Sequence, residues 1–141
     1  MQTAARYERK LVFGDDERVA QWCRERLPNF LGWNGHYIAI GYSAGPNLLG
    51  AVVFTQFSGA NIVIACALEA PLTRRFLRAI FYYPFLQLGC RRVTALIDAD
   101  NAKSIRLVEH VGFEQEGRMK HATTTGDVLI YGLTKERCRW L

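Results

Sequence analysis

Val93-Thr94-Ala95-Leu96-Ile97-Asp98-Ala99-Asp100-Asn101-Ala102-Lys103-Ser104-Ile105-Arg106-Leu107-Val108-Glu109-His110-Val111-Gly112-Phe113-Glu114-Gln115-Glu116-Gly117 is the stretch on which the fold turns. It predicts a strand, a helix and the opening of a second strand. Val93 to Ile97 is rich in β-branched and apolar residues, the composition of a largely buried strand. Asp98 to Asn101 breaks that run, and Asp100 or Asn101 can cap the helix that follows. Ile105, Val108 and Val111 recur at helical spacing, with Leu107 widening the apolar face. Gly112 supplies a left-handed stop and sets Phe113 over Val108 in a Schellman-type contact.

Working outward, the chain before this stretch predicts a first strand over Tyr7 to Phe13, then a helix capped by Asp15 or Asp16. Val19, Trp22, Cys23 and Leu27 would form its buried face, and Pro28 closes it. Three strands follow, over His36 to Ser43, Leu48 to Phe57 and Asn61 to Leu68. The short turns between them make them antiparallel neighbours. The nearly unbroken apolar letters of Ile62 to Leu68 mark a central strand covered on both faces. A helix begins near Leu72 or Thr73 with Phe76, Leu77, Ile80 and Phe81 inward, and Pro84 must kink or end it near Tyr83. A hairpin over Phe113 to His121 and Asp127 to Leu133 closes the sheet; the tail from Lys135 is too short and mixed to assign. A meander with helices before and after it is an α+β arrangement, and nothing matches G-x-G-x-x-G.

The 141 residues fit one domain, 1–141. Half are hydrophobic and 22% charged, which predicts a globular rather than a disordered chain. No apolar run approaches the roughly 20 residues of a membrane span. The first residues lack the apolar core of a signal peptide. Cys23, Cys66, Cys90 and Cys138 are scattered without a C-x-x-C pair, which predicts reduced thiols and a cytoplasmic protein. His36, His110 and His121 lack metal-ligand spacing, so no metal is expected. The net charge of +5 suits a polyanionic ligand, whether nucleic acid or a phosphorylated small molecule. The basic residues form no dense cluster interleaved with aromatics, which disfavours nucleic acid.

The order N-x-x-S-I-R-x-x-E-x-x-G-F-x-x-E-G is carried here by Asn101, Ser104, Ile105, Arg106, Glu109, Gly112, Phe113, Glu116 and Gly117. It resembles the C-terminal half of the GNAT acetyltransferases, in particular the branch that acetylates ribosomal-protein N-termini and small amines. The likeness runs from about 52 to 133. It implies a mixed, mostly antiparallel sheet of six or seven strands flanked by about four helices. Acetyl-CoA would be the co-substrate, gripped between the central strand and Val93 to Asp98, and would pass its acetyl group directly to a primary amine. A protein N-terminus is the first acceptor expected and a small amine the next; a homodimer is compatible with the family.

The resemblance also implies site residues. Leu68, Ala70, Thr73, Arg74, Arg75 and Ala79 would form the pyrophosphate loop at a helix N-terminus, the general anion-binding arrangement. Arg74 and Arg75 at a helix start oppose the dipole, which favours an anion nearby. Leu77 stands where the family has a glycine. Asn101 and Ser104 would lie beside the pantetheine arm. Ser104 could donate towards the leaving sulfur, because Val108 replaces the tyrosine that many relatives use as acid. Glu69 would be the base; Asn61, at another position where relatives carry a catalytic Glu, is an amide and cannot serve. Phe30 and Trp33 would wall the acceptor pocket or simply plug the core. The missing glycine and tyrosine keep a second class open, a non-catalytic GNAT-fold module that binds a ligand or partner.

Overall fold

A computed structural model describes residues 7–27 and 35–141. Seven strands form one sheet in the order β1-β2-β3-β4-β5-β7-β6. They are β1 (Arg9–Val12), β2 (Tyr37–Ala44), β3 (Asn47–Thr55), β4 (Asn61–Leu68), β5 (Arg92–Asp98), β6 (Glu114–Met119) and β7 (Val128–Thr134). All neighbours run antiparallel except β4 and β5. The run Ile62 to Leu68 is thus the middle strand, as its apolar letters predict. Three α-helices lie among the described residues, α1 (Asp16–Arg24), α2 (Arg74–Tyr82) and α3 (Ala102–Val111), where about four were expected.

The period-2 alternation of the strands divides the core in two. Val52, Phe54, Ile62, Ile64, Val93 and Ala95 pack with α2, α3, Phe113 and Tyr131 on one face. On the other face, Ala39, Ala51, Val53, Ala65 and Ala67 receive Val19, Ala20 and Cys23 of α1. Small residues on β2, β3 and β4 let α1 sit close to the sheet.

Helix ends follow local chemistry with one exception. The Asn101 side chain accepts from the Ser104 amide at 3.1 Å, and Thr73 accepts from the Phe76 amide at 3.1 Å. At the far end of α3, Gly112 takes φ +121. Its amide and that of Phe113 reach back to Glu109 and Val108 carbonyls at 3.2 and 2.9 Å, the double bond of a Schellman motif. The exception is α1. Asp15 sits at its N-cap without capping, because its carboxylate pairs with Arg18 at 2.8 Å. Asp16 instead accepts from the Ala39 amide at 3.0 Å and ties the helix start to β2.

Pro84 does not stop the chain from coiling. The α-helical bonding ends at Tyr82, and Tyr83–Gln87 continues as a wider π-turn closed by a Leu88 amide to Tyr83 carbonyl bond of 3.0 Å. Pro84 falls at the start of that turn, where its missing N–H interrupts the α-helical ladder. The short tail is ordered by α3: Trp140 Nε1 donates to the Val111 carbonyl at 2.9 Å and Arg139 to that of His110 at 2.7 Å. Both satisfy carbonyls that a helix C-terminus leaves open. No helix among the described residues is long and apolar enough to cross a membrane.

Candidate active site

The parallel ladder between β4 and β5 runs from Asn61 opposite Arg92 to Ile64 opposite Ala95 and stops there. Past that rung β4 keeps its bonds to β3 as far as Leu68, and β5 keeps its bonds to β7 as far as Asp98. The two strands therefore diverge, and the edges they turn towards each other have no ladder partner. Backbone donors and acceptors are obligatory hydrogen-bonding groups, so this seam offers them to a ligand.

A cavity of about 110 Å³ fills the gap. Ile64, Ala65 and Cys66 line it from β4, and Ala95 to Asp98 from β5. Asn101, Ser104, Leu107 and Val108 close it on the α3 face; Arg26 and Leu27, just past α1, close the other. It opens into a groove of about 810 Å³ between Cys66 to Pro71 and the α3 residues Lys103, Arg106 and His110. These three recur at helical spacing and line the groove with cationic or ionisable side chains. Glu69 stands on the same groove, its Oε2 at 2.8 Å from Arg26 Nε.

Of the residues singled out in the sequence, Leu68, Glu69, Ala70, Asn101 and Ser104 meet on this groove. Thr73 is occupied as the cap of α2. Arg74 is drawn to the tail, its guanidinium carbon 5.9 Å from the Trp140 ring centre. Arg75 and Ala79, four apart on α2, line a separate cleft with Phe13, Ile38 and Tyr82. Leu77 is directed into the core and is 6% exposed. Asn61 lies at the opposite end of the seam, where its Oδ1 accepts from the Thr94 hydroxyl at 2.7 Å. That hydroxyl also accepts from Arg92, which forms a two-pronged pair with Glu116 across Gly132; a Cβ on Gly132 would clash with both. Phe30 and Trp33 lie outside the described residues.

Sequence reading missed Arg26, Leu27, Cys66 and the three α3 side chains. The spacing of Lys103, Arg106 and His110 was a usable signal, since i, i+3 and i+7 share a helix face. Arg26 had none, because its partner is 43 positions away.

The two nearest thiols are shifted away from the nucleophilic thiolate form. Burial pushes Cys23 up to about 12, against the opposing charge of Arg26. Burial pushes Cys66 up as well, and Cys23 adds to it. A thiol so raised stays protonated at neutral pH and does not attack a carbonyl. Among the described residues no three His, Cys, Asp or Glu converge to hold a metal ion.

No family model and no curated protein sequence matches this chain. Solved structures do match it. A spermidine N-acetyltransferase from Vibrio cholerae in complex with CoA and spermine superposes with a TM-score of 0.72 at 12% identity, over 92% of this chain and 96% of that one. A dodecameric structure of spermidine N-acetyltransferase from the same organism gives 0.70 at 14% identity, over 91% and 94%. Together with the sheet order and the interrupted β4–β5 seam, this likeness identifies the architecture: the chain has the GNAT fold, with a mostly antiparallel seven-stranded sheet.

Proposed function

We propose that this protein transfers an acetyl group from acetyl-CoA to a primary amine. The observation that carries the reading is the β4–β5 ladder ending at Ile64 and Ala95, with the gap beyond it opening onto a cation-lined groove. An acyl thioester on a long amide-bearing arm fits such a seam, since its amides can complete the interrupted ladder on both sides. Lys103 and Arg106 supply charge for its phosphates. A solved neighbour of the same fold holds CoA and spermine, which supports the donor and the chemical class of acceptor.

In this reading the amine nitrogen attacks the thioester carbonyl directly, within a complex of both substrates. The C–N bond forms, the C–S bond breaks, and the CoA thiolate leaves to take a proton from water or from Ser104. The amine's proton passes to Glu69, directly or through one water. Direct attack is favoured over an acyl-cysteine because burial disfavours the thiolate of Cys66, the thiol nearest the gap. A protein N-terminus or a small amine is the acceptor class. Self-association of the chain, expected from the resemblance, belongs to the same proposal and is tested by light scattering.

The test is calorimetric titration of acetyl-CoA into the wild type and into Lys103→Ala/Arg106→Ala, followed by thiol release in the presence of free-amine peptides and polyamines. Binding that the double variant weakens, with amine-dependent thiol release, supports the reading. No binding at millimolar acetyl-CoA overturns it and leaves the non-catalytic module.

A further inference from the structure

Arg26, just past α1, is anchored through the face, Nε and Nη1 of its guanidinium. Its guanidinium lies 3.7 Å from the Trp22 ring centre, in the range of a cation–π contact. Nη1 donates to the Trp22 carbonyl at 2.9 Å and stands 3.7 Å from Glu25 Oε1. Nε donates to Glu69 Oε2 at 2.8 Å. The first two contacts bind Arg26 to the end of α1, so the third reaches out from an anchored base to the end of β4.

Glu69 is held from two sides. Its amide donates to the Leu49 carbonyl at 2.8 Å, which fixes the backbone to β3. Its side chain is 52% exposed, and a glutamate so placed would otherwise sample several rotamers. Arg26 removes that freedom by occupying one oxygen. Among the described residues no donor reaches the other, Oε1. The charged and titratable groups around the carboxylate are Arg26 and Glu25 from the α1 side and Lys103, Arg106 and His110 from α3 across the groove, with the Cys66 thiol on β4 between them.

We propose that Arg26 is a positioning residue for the acetyl-transfer step: it holds the Glu69 carboxylate on the groove that adjoins the β4–β5 gap and leaves Oε1 to receive the amine's proton. The inference rests on the acetyltransfer reading. Arg26 itself touches no reacting atom. The step balances as before: N–C bond formed, C–S bond broken, the amine proton to Oε1, the thiolate electron pair to CoA. An arginine suits the task better than a lysine, because its planar fork fixes direction as well as charge.

The experiment compares wild type, Arg26→Ala, Arg26→Lys, Glu69→Gln and the double variant Arg26→Ala/Glu69→Gln. Calorimetry gives the acetyl-CoA Kd, and thiol release gives kcat and KM with two acceptors, a peptide with a free α-amine and spermidine. The expected result is a kcat about tenfold lower in Arg26→Ala, a larger effect than the change in acetyl-CoA Kd that follows from Arg26 also lining the gap. Arg26→Lys recovers part of that loss, and the double variant is no slower than Glu69→Gln alone, since both changes act on one group. A kcat for Arg26→Ala equal to wild type overturns the inference, as does a double variant that loses the product of the two single effects. If Arg26→Ala unfolds, Arg26→Lys against the double-variant pair built on lysine decides by the same criterion. Wild type that releases thiol with neither amine overturns the acetyltransfer reading itself, and this inference falls with it.

Discussion

Ile64 faces Ala95 at the last rung of the parallel ladder, and everything chemically distinctive about the chain lies beyond that pair. Antiparallel neighbours hold β4 and β5 from outside, so the divergence is fixed by the sheet rather than left to a loop. The gap is therefore pre-formed, the state in which binding costs least ordering.

Filling the gap should separate binding from folding. Cys66 projects from β4 just past the last rung and is only partly buried. Cys66→Phe would occupy the space proposed for the thioester arm. The expected outcome is an acetyl-CoA affinity at least about tenfold weaker, a loss of about 1.4 kcal/mol, measured by calorimetry. The circular dichroism spectrum should stay that of the wild type.

The cap of α3 makes a second prediction. Asn101→Ala removes the acceptor of the Ser104 amide and should cost about 1 kcal/mol. A domain of this size would melt about 2–5 °C lower, read by calorimetric scanning. Asn101→Asp keeps the acceptor and should melt close to wild type.

Raised thiols give the stability a definite slope at alkaline pH. An unfolded thiol ionises near about 8.5, whereas Cys23 in the fold is pushed up to about 12. Between those values the folded state keeps a proton that the unfolded state gives up. Stability is therefore full below about pH 8.5 and falls as pH rises towards about 12. At pH 10 the loss from Cys23 alone is roughly 2 kcal/mol. Cys66, Cys90 and Cys138 are raised by burial too and act in the same direction. Urea titrations at pH 8 and pH 10 should show the fall, and Cys23→Ala should show a smaller one from a lower starting stability.

Much of this was legible in the sequence wherever the deciding interaction is local. Asn101 and Gly112 bound α3 through partners within five positions, and their letters announce them. The apolar run of β4 reports burial directly. Three features were hidden for separate reasons. Asp15 has the right chemistry for a cap but a competing cation one turn away, Arg18. Arg74 and Ala79 fit a family motif in order, yet Arg74 is drawn to Trp140 of the tail and Ala79 lines the cleft beside β1 and β2. Trp140 and Arg26 act on residues 29 and 43 positions away, and no short-range pattern encodes such pairs.

Leu77 tests how far a family motif should be trusted against packing. A glycine there would agree with the resemblance, and opening the helix backbone to a phosphate is its usual purpose. In this chain the side chain is 6% exposed and sits in the core with Phe76, Ile80 and Phe81. The Leu77 amide is already bonded to the Thr73 carbonyl at 3.0 Å, so it is not free for an anion. Leu77→Gly would leave a cavity worth about 2–5 kcal/mol and add about 1 kcal/mol for glycine inside a helix. The expected outcome is a large loss of stability in urea with no gain in acetyl-CoA affinity at temperatures where the variant is still folded. Tighter acetyl-CoA binding by Leu77→Gly would instead mean that the leucine obstructs the phosphates, and that α2 rather than the Lys103–Arg106 face receives them.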